Sequence, residues 1–399
     1  MRRVGLDLGV RHIAYCEVVD GKVVDRTTVT SLSQLSGRLG PGTAPARVAF
    51  EACREAWAVH DKLAEWGHDP RMLDSTRVRQ MGVGQHGRKN DPIDAEAIAM
   101  AVDRGQLAEA HVLSPARREL RAQLSVRGAL VETRAQYVTT IRGLVRATGV
   151  LLPTCDTADF VAKLDGLAMD DETRALVGPL VAVLRALEVQ MTAVEHTLAG
   201  LAAKDDVLKL LATVPGVGLI VAATFVSVID EAGRFKNAQA VGAYLGLVPR
   251  ESTTGGPDKR RLGSITKQGN RMARAMLIQA AWTIFRLRDQ NDPLKRWVDH
   301  VAQTRNKRVA VVGLARKLSG LLWAMWRDST VYDPKGHAEQ SAQGVRAAAH
   351  DQLGRAQALE RAAAKLRRPG TRTPTAAKPR RPVTHTPTTR RKSSQRKAV

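Results

Sequence analysis

The chain has 399 residues, a formal net charge of +23 and a pI near 10.6, with 44% hydrophobic and 4% aromatic residues. Its length has room for two or three domains, and its apolar share is enough to build cores for most of them. The charge calls for a polyanionic partner, and so few aromatics argue against base stacking on an aromatic platform as the main way of holding one.

From the N-terminus, residues 3–8, 12–19 and 22–29 form three short strand patterns, with Asp20-Gly21 as a hairpin turn signal between the second and third. A fourth strand pattern at 47–50 precedes a helical one at 54–66; residues 68–73 read as a fifth strand and 95–102 as a helix. Three antiparallel strands followed by alternating helices and strands match the order of a ribonuclease-H-like fold. Periodicity alone supports an α/β unit over 1–112 that begins with a hairpin, and the named fold is inferred from its carboxylates as well.

Residues 113–204 turn helical. The stretch 117–148 spaces Leu120, Leu124, Leu130, Val131, Tyr137, Ile141, Leu144 and Val145 near helical period and carries seven arginines against Glu119 and Glu132. A break at Leu152-Pro153-Thr154 precedes a second long helix over 172–203. Two such coiled-coil-like helices pack as an antiparallel hairpin or across a subunit boundary, as a spacer or a dimerisation element.

Residues 205–332 read as a further, mostly α-helical unit. Val214-Pro215-Gly216-Val217-Gly218 between two apolar helical runs has the form of a helix-hairpin-helix turn, in which Gly216 and Gly218 would open backbone N–H groups to a phosphate; an ordinary glycine-closed helix turn fits equally. Helices follow at 271–286 and 307–326, the latter with Lys307, Arg308, Arg316 and Lys317. The segment 333–399 is a basic, mostly disordered tail: residues 367–399 hold eleven Lys or Arg and no acid, almost half of the net +23. Cys16, Cys53 and Cys155 have no metal-ligand spacing and fit a reducing cytoplasm. With a strand at the N-terminus and no apolar run near membrane-spanning length, a soluble cytoplasmic protein without a signal peptide or membrane partner is expected.

Four carboxylates stand out as chemistry. Asp7 interrupts the apolar run Val4-Gly5-Leu6-Asp7-Leu8-Gly9, Glu51 ends Val48-Ala49-Phe50-Glu51, and Asp91 and Asp94 lie three apart ahead of a helix. A charge at the end of a buried strand costs several kcal/mol unless something offsets it. Two divalent cations about 3.5–4 Å apart would do so and would activate a nucleophile for phosphoryl transfer. The glycines beside Asp7 suggest close approach of backbone to a ligand. The competing account of Asp91 and Asp94 is that they serve the helix dipole, with Pro92 in the first turn. A second dense region runs from Gly246 to Arg271: the hydroxyls Ser252, Thr253 and Thr254 precede two glycines, among Arg250, Arg260, Arg261 and Lys267. Such a region could hold a phosphate or present a nucleophile to one, though from physics alone an ordinary polar loop fits better.

These residues also resemble a family. Gly5-Leu6-Asp7, Phe50-Glu51-Ala52, Lys-x-Asp-x-x-Asp at 89–94, Val214-Pro215-Gly216-Val217-Gly218, Gly246-Leu247-x-Pro249 and Lys267-x-Gly269-Asn270 together resemble the DEDD insertion-sequence transposases, whose N-terminal domain is like that of Holliday-junction resolvases. The resemblance covers nearly the whole chain except the tail. It implies a nucleoid-associated DNA recombinase in which Asp7, Glu51, Asp91 and Asp94 hold Mg²⁺ in a two-metal site. It further implies a C-terminal domain whose serine attacks double-stranded DNA to form a covalent link. Homo-oligomers (dimer or tetramer) with composite active sites, and a structured guide RNA encoded by the element, belong to the same expectation. One position departs: the family's serine falls on Thr254, and Ser252 lies two residues upstream, so either hydroxyl, or neither, is the nucleophile. Three alternatives stand beside this reading: a junction endonuclease using the same carboxylates, a non-catalytic nucleic-acid-binding protein, and an actin-like ATPase opening on Asp7-Leu8-Gly9.

Overall fold

The computed structural model describes residues 1–75, 91–106, 108–252, 261–289 and 292–334. A five-stranded sheet in the order β3-β2-β1-β4-β5 opens the chain: β1 Arg2–Leu8, β2 Ile13–Val19, β3 Lys22–Val29, β4 Ala46–Glu51 and β5 Asp69–Leu73. The first three strands are antiparallel neighbours, whereas β4 and β5 run parallel to β1. Asp20 (φ 48°) and Gly21 (φ 74°) both take left-handed backbone, which is what a two-residue hairpin turn of the right twist demands.

Each face of the sheet has its own cover. Val4, Leu6, Tyr15, Val48 and Phe50 pack with Leu35, Leu39 and helix α1 (Ala56–Glu65). On the other face Ala14, Cys16 and Ala49 lie under helix α2 (Asp91–Asp103), which contributes Ala95, Ile98, Ala99 and Val102. Small residues on this face let α2 come close. A Cβ on Gly5 would stand 2.2 Å from the Ala95 carbonyl oxygen and 2.5 Å from the Ala99 nitrogen. The close approach beside Asp7 is therefore to a helix of the protein itself, not to a ligand. Arg3 pairs with Asp103 at 3.1 Å, and the Gly21 amide donates to the same carboxylate at 3.0 Å, anchoring the far end of α2.

Helices α3 (Pro115–Ala147) and α5 (Asp171–Ala203) close on each other as an antiparallel hairpin within one chain. Ile141, Val145, Val177 and Leu184 pack with the short helix α4 (Phe160–Asp165) at its tip, while Leu120, Leu124, Leu198 and Ala202 join the core of the C-terminal part. That part is mostly helical: α6 Asp206–Leu211, α7 Leu219–Ile229, α8 Ala238–Tyr244, α9 Arg271–Phe285, α10 Pro293–Thr304 and α11 Lys307–Asp328, with a hairpin of β6 Pro249–Ser252 and β7 Arg261–Ile265. From Val221 to Ile229, α7 is buried on every side.

Contrary to the expectation from the sequence, two helices, Asp171–Ala203 and Lys307–Asp328, are long and apolar enough by composition to cross a membrane. Both pack along other helices of the protein, α5 on α3 and α11 on α8, α9 and α10. The expected basic tail lies outside the described residues, apart from its first two positions.

Candidate active site

Asp7 and Glu51 fall next to each other by register. Leu6 pairs with Phe50 in the parallel β1–β4 ladder, so the following residues, both acidic, end neighbouring strands. Alternation puts Asp7 on the face of Gly5 and Glu51 on the face of Ala49, the side covered by α2. The first turn of α2 supplies Asp91 and Asp94 at that same end. Asp91 Oδ2 lies 3.5 Å from where a Cβ on Gly9 would be, which places it beside the loop that leaves β1. All four carboxylates are half-buried, and Asp94 Oδ1 is closed to solvent. Four oxygen donors of this kind suit a hard divalent cation.

The side chains themselves are not gathered. Among the described residues no three His, Cys, Asp or Glu side chains form a group that could hold a metal ion. Backbone topology brings the four expected carboxylates to one edge of one face, without a preformed group of three ligands among the described residues. Carboxylates repel at short range unless a cation lies between them.

The second dense region is built on two loops that interlock. Gly246 (φ 69°) and Gly269 (φ 90°) sit where a Cβ would strike the Gln268 carbonyl at 1.8 Å and the Tyr244 carbonyl at 2.1 Å. The Lys267 amide donates to Gly246 O (3.1 Å) and Thr266 N to Val248 O (2.9 Å), extending the β6–β7 ladder at its feet. Arg250 Nη2 reaches Thr266 O at 3.5 Å, and Lys267 is exposed with φ 58°. Ser252 ends β6 and Arg261 begins β7, while Thr254 and Arg260 lie outside the described residues.

The glycines of the 214–218 turn divide in role. A Cβ on Gly216 (φ 77°) would meet Ala280 O at 2.9 Å and Ile284 Cγ1 at 3.1 Å, so this glycine admits helix α9. Gly218 is exposed, heads α7, and has nothing within 4 Å of its Cβ position.

Sequence reasoning missed the contacts that join these parts. Ser114 precedes Pro115 as a helix cap would, yet its hydroxyl donates to Asp230 Oδ1 (2.6 Å) and its amide to Oδ2 (3.2 Å). His111 Nε2 donates to the same Oδ2 at 2.5 Å. Burial works to raise the Asp230 carboxyl, and the bonds from Ser114 and His111 more than reverse it, leaving it below the usual carboxylate range. Asp230 itself stands at φ 65°, a strained backbone for a residue with a Cβ. On the other side, Arg118 and Arg121 both lie over the Trp57 ring of α1, at 5.6 Å each, and Arg118 pairs with Asp61. No local pattern marks Asp230, His111 or Ser114, because their partners lie more than a hundred positions away in the chain.

The described residues thus place an acidic sheet edge, a helical hairpin and a mostly helical C-terminal unit in one chain. A family model described as "Transposase IS116/IS110/IS902 family" matches residues 208–295, and a DEDD transposase model of the IS110 type matches residues 4–149. The chain is 31% identical to a probable family 20 transposase of Pseudomonas aeruginosa over 298 residues, 73% of this chain and 86% of that protein. It is 29% identical to the transposase for insertion sequence element IS1328 of Yersinia enterocolitica, over 82% of this chain and 98% of the relative. The transposase for insertion sequence element IS1111A of Coxiella burnetii is 27% identical, over 71% and 79% of the two chains. The chain belongs to the IS110/IS116/IS902 family of insertion-sequence transposases. It is a DNA transposase.

Proposed function

We propose that Asp7, Glu51, Asp91 and Asp94 bind divalent magnesium at the edge of a ribonuclease-H-like unit spanning 1–112, and that this site cuts and rejoins double-stranded DNA. The observation that carries the reading is the placement of Asp7 and Glu51 on one face at the ends of adjacent parallel strands, with the first turn of α2 held over them by Gly5. The strand order 3-2-1-4-5, three antiparallel strands then two parallel, is the one that fold requires and supports it further. When bound, the metal supplies Lewis acidity at the scissile phosphate. The four carboxylates orient it, and the basic loop residues Arg250, Arg260, Arg261 and Lys267 draw the phosphodiester in and offset its charge.

In the same reading the hydroxyl of Thr254 or Ser252 attacks the scissile phosphorus and forms a protein–DNA phosphodiester. The P–O bond to one DNA sugar oxygen breaks in the same step, and that oxygen leaves as a hydroxyl, taking up the proton the nucleophile gives up. The turn at Gly216 and the exposed Gly218 would meet a backbone phosphate. No element of the five-stranded sheet shares a substantial contact with β6 or β7 among the described residues, which supports composite sites assembled from the units of different copies in a dimer or tetramer. A guide RNA encoded by the element would lie on the basic N-terminal unit and the first long helix, α3.

Asp7→Ala and Glu51→Ala, introduced separately into a plasmid transposition assay, should each abolish product; wild-type activity in both removes the metal site from the mechanism. A junction endonuclease is the second reading, favoured by the same carboxylate edge. A protein–DNA adduct that survives denaturation, and disappears when residues 252–254 are all alanine, separates the two.

A further inference from the structure

We propose that Arg274 is a positioning residue for strand joining: it fixes the attitude of the β6–β7 hairpin, and so of the hydroxyls that hairpin carries, against the helical core. The proposal rests on the reading that the hairpin bears the attacking hydroxyl.

Arg274 lies one turn into α9, half-buried, with its backbone amide bonded to Asn270 O. Its Nη1 faces three backbone carbonyls at once: Leu245 O at 3.2 Å, Gln268 O at 3.0 Å and Gly269 O at 2.9 Å. Leu245 closes helix α8, and Gln268 and Gly269 form the link from β7 into α9. A single guanidinium therefore ties the chain entering the hairpin to the chain leaving it. Three carbonyl dipoles aimed at one point repel one another, and a cation that cannot lose its proton is what holds them there.

The glycines make the clamp rigid. With the Gly246 and Gly269 Cβ positions only 1.8 and 2.1 Å from backbone carbonyls, the two feet of the hairpin touch with no side chain between them. Lys267, at φ 58°, sits in the turn so formed. Without the guanidinium, the carbonyls of 245, 268 and 269 lose their shared donor, and the feet are left to the two backbone bonds from Thr266 and Lys267, free to rotate about them. Because β6 and β7 project from these feet, a small rotation there is magnified at the far end of the ladder. Each of these side-chain contacts of the arginine is to a loop carbonyl, so its effect on joining runs through the loops.

The test uses the full-length protein with R274A and R274K, a plasmid carrying the gene with its native flanking DNA, and three readouts: melting temperature, duplex-DNA affinity and the rate of strand joining. A misplacement near 1 Å at a reacting group costs on the order of 100-fold in rate. The expected result for R274A is a loss of about that size in joining with DNA affinity unchanged. R274K, whose ammonium can serve the carbonyls without the planar fork, should recover part of the rate at a wild-type melting temperature. A wild-type rate in R274A overturns the proposal. So does a loss of affinity and melting temperature in proportion to rate with no rescue by lysine, which marks a structural contact only. If R274A does not fold, R274M, which keeps the bulk without a donor, takes its place, and a wild-type joining rate in folded R274M overturns the proposal. The S252A/T254A double variant is run alongside: full activity there defeats the nucleophile reading, whereas an inactive double variant beside a fully active R274A defeats the clamp.

Discussion

Gly5→Ala puts the carboxylate-edge argument to its sharpest test. The new methyl carbon would lie 2.2 Å from the Ala95 carbonyl oxygen, against an ordinary contact of 3.4 Å or more, so α2 must withdraw by about 1.2 Å. Strand β1 cannot yield instead, because it is hydrogen-bonded on both sides, to β2 and to β4. Overpacking of this kind costs roughly 1–3 kcal/mol, or about 4–20 °C in melting temperature for a unit of roughly 110 residues. The larger consequence is geometric. Asp91 and Asp94 ride on α2, so they move away from Asp7 and Glu51 by a similar distance, enough for about a 100-fold loss of cleavage rate. The assay is single-turnover strand cleavage beside a thermal melt, with Gly37→Ala, which has open space around it and no special backbone, as the control. A folded Gly5→Ala protein that cuts DNA at the wild-type rate would refute the claim that helix placement assembles the site.

Other outcomes follow from the same contacts. Asp230→Asn keeps the shape but removes the charge that Ser114 and His111 bind, and should lower stability by about 1.5–3 kcal/mol near neutral pH. Because the folded carboxyl is held below its usual value, its contribution is present above about pH 4 and fades as pH falls below that. Melts from pH 6 down to pH 2 should show a steeper acid loss for the wild type than for the variant, and parallel curves would dismiss the latch. The Thr266 hydroxyl is buried with no hydrogen-bond partner among the described residues, so Thr266→Val should leave the melting temperature unchanged or raise it; a clear drop would mean the hydroxyl is bonded. Chelation of divalent cations should stop strand cleavage, with recovery on adding Mg²⁺, and cleavage that persists in excess chelator would rule out the metal proposal.

Much of the architecture was legible in the chain itself. Alternation and turn residues located β1 to β5 within a residue or two, because a strand with buried faces and an Asp-Gly turn are local patterns. The long helices at 115–147 and 171–203 were equally plain from their 3.6-residue period. Asp7 and Glu51 could be singled out because a charge at the end of an apolar run is anomalous wherever it occurs.

Tertiary structure decided the rest. That Gly5 admits a helix and not a ligand, and that α3 and α5 close within one chain, depend on contacts between segments far apart in sequence. Arg274 looked like one more helix arginine until three carbonyls from two other loops converged on it. Asp230 had no local signature either, since its partners lie more than a hundred residues upstream. Periodicity reports which face of an element is buried, whereas convergence of polar groups depends on how those faces are stacked, and stacking is fixed only when the whole chain packs.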